Sequence, residues 1–153
     1  MEGRALGVEI PIWVLFGEQR LRDGIDIDRP ALYRRMTTVK ELPTTEPPTV
    51  GQFAEAFKRQ TDAGNDVVAV TVGAKLSETF ANANEAAKPY GHRVRVVDSR
   101  CASALLGLLV REMVGAIRAG GDAATVAAAG DRERLRGQAY FAIPDVAFLG
   151  RTG

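Results

Sequence analysis

Two short runs of mostly branched apolar residues constrain this chain more than anything else in it. Asp66 to Val72 reads DVVAVTV and Arg93 to Asp98 reads RVRVVD. Each suits a strand with both faces covered, as in a parallel sheet. The segment between them, residues 73–92, is too long for a hairpin and carries a helical pattern, so it reads as a crossover. A third run, Val8 to Phe16 (VEIPIWVLF), is nearly all apolar and is expected to add a strand, with its well-paired part after Pro11. The expectation is therefore parallel strands at Val14–Phe16, Val67–Val72 and Arg93–Val97. The fold class that follows is α/β: a three-layer lobe with a mostly parallel sheet flanked by helices. A length of 153 residues suits one such lobe spanning the chain.

The helix signals are local. Asp28 can cap a helix with Pro30 in its first turn, running to about Val39. Thr49 and Gln52 form a capping box before a face of Phe53, Ala56 and Phe57, and that helix stops near Gly64. Ser77 opens a helix through about Ala87. Ala102 to Ala119 carries a stripe of Leu105, Leu108, Leu109, Met113 and Ile117, and Asp122 caps a last helix to about Arg136. Gly17 to Asp28 reads as turn, and the three prolines of Glu41 to Pro48 argue against regular structure there. Gln138 to Ile143 is a short strand-like run.

In open α/β sheets ligands bind beyond the carboxyl ends of the strands. Three hydroxyl-bearing segments lie there or can fold over that edge: Pro43-Thr44-Thr45, Lys75-Leu76-Ser77 and Asp98-Ser99-Arg100. Hydroxyls beside free helix N–H groups suit a carboxylate or phosphate. Each segment also has a plain structural reading. Ser77 can be a helix cap, Asp98-Ser99 a turn, and Thr44 and Thr45 can satisfy loop backbone.

Other chemistries find little support. A net charge of +1, with the basic residues dispersed, leaves no footprint for nucleic acid. Gly-x-Ser-x-Gly, Gly-x-Gly-x-x-Gly and a phosphate loop ending in Gly-Lys-Ser/Thr are all missing from the sequence. Asp23, Asp26 and Asp28 start like a calcium loop, but its glycine position is Asp28 and its closing glutamate position is Arg34. His92 is the single histidine, in a loop, and Cys101, the single cysteine, reads as a small buried hydrophobe. The apolar stretch Ala102 to Val110 is too short to cross a bilayer.

Taken in order, R-D-G-x-D-I (Arg22 to Ile27), a helix with Tyr33, L-P-T-T (Leu42 to Thr45), K-L-S-x-T-F (Lys75 to Phe80), V-V-D-S-R (Val96 to Arg100) and a G-L-L-V helix resemble the DegV family. The resemblance implies a bacterial, cytoplasmic carrier with no cofactor and no catalytic residue, which binds one long-chain fatty acid in an apolar tunnel. Its partner would be a fatty acid kinase, which phosphorylates the presented carboxylate. By the same match Thr45 and Ser77 would contact the head group, with Thr44, Thr79 and Ser99 in support. The sequence departs from the pattern at Glu46-Pro47, where the family usually has Ser-Gln, at Gly73-Ala74 for Ser-Ser, and at Glu78 for Gly. Glu46 would repel a carboxylate unless it points away. The resemblance also implies that the first strand and a second lobe are missing, so that the chain self-associates. The residues by themselves leave two alternatives open: a small phosphotransferase or hydrolase acting on a small anion, and a truncated remnant with no ligand.

Overall fold

A computed structural model describes residues 7–138 and Tyr140. They divide into two compact units: residues 10–48 with Tyr140, and residues 49–138 with 7–9.

In the larger unit, α2 (Val50–Asp62) leads to β4 (Val67–Thr71), then α3 (Thr79–Ala87), a 3-10 segment (Lys88–Arg93), β5 (Val94–Asp98), α4 (Ser103–Arg118) and α5 (Ala123–Arg136). β4 and β5 pair in parallel, from Val67 opposite Val94 to Thr71 opposite Asp98. Strand alternation separates the two faces. Val68, Val70 and Val97 pack with Met113 of α4 and Val126 of α5. The opposite face is covered by α3, with α2 packed against α3. There Phe53, Phe57, Ala83, Ala86 and Val94 are buried, and Tyr90 meets the Phe57 ring edge-on at 6.3 Å between centroids. Helix, parallel strands and helix thus form the three layers expected. Leu109 of the apolar stripe is wholly inaccessible. The capping box forms as read: Thr49 Oγ1 accepts from the Gln52 N–H while the Gln52 side chain accepts from the Thr49 N–H.

The smaller unit has β1 (Trp13–Phe16), β2 (Gln19–Arg22), α1 (Arg29–Met36) and β3 (Thr44–Glu46), with the strands ordered β2-β1-β3. Here the expectation for Val14–Phe16 is overturned, because β1 pairs antiparallel with both neighbours and lies in a sheet separate from β4 and β5. The turn at Gly17-Glu18 folds the chain straight back, and a reversal that tight can only give an antiparallel partner. Two further readings change with it. Gln19–Arg22 is a strand within the stretch read as turn, and Thr44–Glu46 is a strand despite prolines on both sides. α1 is capped by Asp28 as read but ends at Met36 rather than near Val39. Burial is thin: Val14, Ile27 and Pro48 are buried, whereas α1 buries no residue fully. Of the run Gln138 to Ile143, only Gln138 and Tyr140 are among the described residues.

Candidate functional site

The carboxyl ends of β4 and β5 emerge side by side, and the two loops that leave them are tied together by short polar bonds. The Gly73 N–H donates to the Cys101 carbonyl at 2.8 Å, and the Ser99 N–H donates to the Thr71 carbonyl at 3.3 Å. Oδ1 of Asp98 accepts from the N–H groups of both Ala74 (3.0 Å) and Arg100 (2.9 Å). One carboxylate oxygen therefore clamps both loops. The approach is close enough to require glycine: a Cβ on Gly73 would stand 2.9 Å from the Arg100 carbonyl carbon. Arg100 turns through the left-handed region, with φ of 55°. A non-glycine residue held there marks a turn fixed by its surroundings.

Ser77 and Thr79 are brought together at the head of α3. Their hydroxyl oxygens lie 2.8 Å apart, and the Thr79 N–H donates to Ser77 Oγ at 3.2 Å. Ser77 is thus not the cap residue itself. Glu78 occupies that position with no side-chain cap bond, and the helix begins at Thr79. Ser77 is half-buried and Thr79 buried, while Lys75, Leu76 and Glu78 are exposed. Leu76 is 62% exposed, an apolar side chain presented next to a hydroxyl.

Ser99 faces inward. It is 1% exposed, and its hydroxyl donates to the Cys101 carbonyl (3.0 Å) and accepts from the Cys101 N–H (3.2 Å). Cys101 is buried, as its apolar setting suggested. Thr44 and Thr45 belong to the smaller unit, opposite Leu15 and Val14 of β1. As neighbours on one strand they face opposite sides of the sheet. Glu46 shares the side of Thr44 and pairs there with Arg20, whose guanidinium lies 5.0 Å from the centre of the Trp13 ring. Its charge is therefore directed away from Thr45 and has a counter-ion.

Sequence reasoning missed Asp98 and Gly73 as the residues that hold the Ser77 loop. Both stand in quoted motifs, but their role depends on a contact between two loops that only the parallel pairing creates. The shifted titrations lie elsewhere. The side-chain bond to Arg22, followed by the bond from the Arg22 N–H, holds the Asp26 carboxyl down to about 2. Among the described residues no three potential metal ligands cluster.

Fold and site together define an α/β protein whose parallel-strand edge carries two sutured loops, one of which leads to the paired hydroxyls of Ser77 and Thr79. The DegV family of uncharacterised proteins matches residues 6–153, and the chain belongs to it. A DegV domain-containing protein of Deinococcus radiodurans is 29% identical over 150 residues, covering 97% of this chain and 53% of its own length. A fatty-acid-binding DegV family protein of Thermus thermophilus superimposes with a TM-score of 0.74 at 26% identity, over 82% of this chain and 45% of that one. DegV of Bacillus subtilis, a fatty acid binding protein, superimposes with a TM-score of 0.85 over 94% of this chain and 52% of its own; at 24% identity it shows the fold alone. The chain spans about half the length of the curated relatives it matches.

Proposed function

We propose that this protein binds a long-chain fatty acid, with the carboxylate held by neutral hydroxyls, and carries it to a partner fatty acid kinase. Ser77 and Thr79 are the head-group donors that the parallel-strand edge supplies, and the family match adds Thr45, backed by Thr44. Ser99 acts behind them by shaping the turn that steadies the Ser77 loop. Neutral donors hold a carboxylate without a buried cation, and charge-assisted hydrogen bonds of this kind are the strong ones. The protein is a carrier in the cytoplasm, and the kinase supplies the chemistry.

The observation that carries this reading is the paired hydroxyls of Ser77 and Thr79, 2.8 Å apart beside the exposed Leu76, in a family whose Thermus thermophilus member binds a fatty acid. Glu46 does not oppose it, because Arg20 neutralises it on the face opposite Thr45. Among the described residues no helix is long and apolar enough to cross a membrane.

Native mass spectrometry of the purified protein, with organic extraction of any bound lipid, tests the ligand class. Ser77→Ala and Thr45→Val should each weaken fatty-acid binding roughly ten- to a hundredfold, the loss of one hydrogen bond to a charged group, with the fold intact. If Ser77→Ala instead leaves affinity unchanged and only lowers the melting temperature, Ser77 shapes its loop and does not touch ligand.

A further inference from the structure

Three hydroxyl-bearing residues of this edge are more than nine-tenths buried: Thr71, Thr79 and Ser99, at 4%, 7% and 1% exposure. Thr79 is bonded to Ser77, and Ser99 to the Cys101 backbone. Oγ1 of Thr71 is closed to solvent and has no hydrogen-bond partner among the described residues. Buried hydroxyls are nearly always partnered, so an orphan beside a candidate site marks where a partner arrives.

Its place in the fold says which partner. Thr71 is the last residue of β4. Val68 and Val70 face the α4 and α5 side, so alternation turns Thr71 to the face that α3 covers. α3 follows β4 and packs against both β4 and β5, and its first residue, Thr79, with Ser77 just before it, ends the connection that leaves Thr71. The donors can then be counted. A carboxylate only accepts, through two oxygens with about four lone-pair sites. Ser77 and Thr79 spend one of their two hydroxyl hydrogens on each other, which leaves a single hydrogen for a ligand. The hydrogen of Thr71 is unspent.

We propose that the Thr71 hydroxyl is a third donor of the head-group cradle and is satisfied only when a carboxylate is bound. The proposal rests on the fatty-acid reading above. The carboxylate takes the one hydrogen that the Ser77 and Thr79 pair leaves free, together with the hydrogen of Thr71. Thr71 thereby favours a fatty acid over the matching alcohol, whose neutral oxygen accepts a weaker bond than a carboxylate does.

The test compares Thr71→Val, nearly isosteric but without the hydroxyl, with the native protein. Palmitate and hexadecan-1-ol are the probes, and the melting temperature is read without ligand. Palmitate affinity should fall about tenfold, the loss of one such bond. Hexadecan-1-ol affinity should fall less than palmitate affinity, and the ligand-free melting temperature should stay level or rise. Thr71→Ser, which keeps the hydroxyl, should retain palmitate affinity. Unchanged palmitate affinity in Thr71→Val overturns the proposal, and so does a lower melting temperature with unchanged affinity, since the hydroxyl is then already satisfied. Equal losses in Thr71→Ser and Thr71→Val also overturn it, because the methyl contact and not the hydrogen bond would then matter. If the native protein binds neither probe, the fatty-acid reading itself fails and takes this role with it.

Discussion

The two units solve the problem of burying a small sheet in opposite ways. The larger one puts two parallel strands between helix layers, and its core holds Phe53, Phe57, Val97, Leu109, Met113 and Val126. The smaller one has three antiparallel strands and one helix, with Val14, Ile27 and Pro48 as its buried residues among those described. Around them stand ion pairs and cation–ring contacts: Arg20 with Glu46 and Trp13, Arg22 with Asp26, Arg35 over Phe16 at 3.9 Å. Exposed pairs of this kind contribute little each, about 0–1 kcal/mol at most. The contrast teaches that the Ser77 loop springs from the more deeply buried unit, while the Thr45 strand sits on a frame that salt and acid can loosen.

The largest test strikes the larger core. Leu109→Asp should unfold that unit, since a buried unpaired carboxylate destabilises by upwards of about 4 kcal/mol. Loss of the helical far-ultraviolet circular dichroism signal, or insolubility, is the expected result. A variant that melts within a few degrees of the native protein would remove Leu109 from the core and with it the contrast. A smaller effect is expected at the suture. Gly73→Ala drives a methyl against the Arg100 backbone, which cannot yield as a flexible side chain would. It should destabilise by about 1–3 kcal/mol, read from denaturant midpoints. A neutral Gly73→Ala would show that the two loops are not locked.

The smallest effect belongs to the smaller unit and appears as acid sensitivity. The Asp26 carboxyl is held down to about 2 by Arg22, below its value of about 3.9 in an unfolded chain. A depressed carboxyl stabilises the folded form above the unfolded value, and that contribution is lost as the pH falls through the folded one. The turn should therefore loosen between about pH 4 and pH 2. Trp13, the single tryptophan, pairs with Arg22 across the strands and reports on this unit. Its emission should shift over that window in the native protein and not in Asp26→Asn. An identical titration in both would assign the change elsewhere.

Why the sequence spoke clearly for one unit and poorly for the other follows from the range of the forces. The larger unit is written in local signals: branched runs for β4 and β5, the Thr49 and Gln52 box, Asp122 at the head of α5. Each acts within a few residues. β1 is apolar enough to pass for a strand of the parallel sheet, and only its neighbours decide otherwise. β2 reads QRLR, with no apolar run to announce it, and β3 is three residues between prolines. These strands exist because β1 offers them a partner, which no window of sequence contains. The site divides in the same way. Ser77 and Thr79 are legible from a motif, whereas the clamp by Asp98 and the orphaned hydroxyl of Thr71 arise from strand pairing and packing at a distance.

The prolines that obscure β3 have a further consequence for how the protein behaves in a crowded solution. Among the described residues β2 and β3 are the outer strands of their sheet, and an outer strand left uncovered invites another chain to add itself. Proline carries no amide hydrogen, so Pro43 and Pro47 leave β3 too short to template a long ladder. Arg20 and Arg22 make the other edge costly to approach in dry contact. Replacing both prolines with strand-forming residues would lengthen a readable strand and leave a stickier protein.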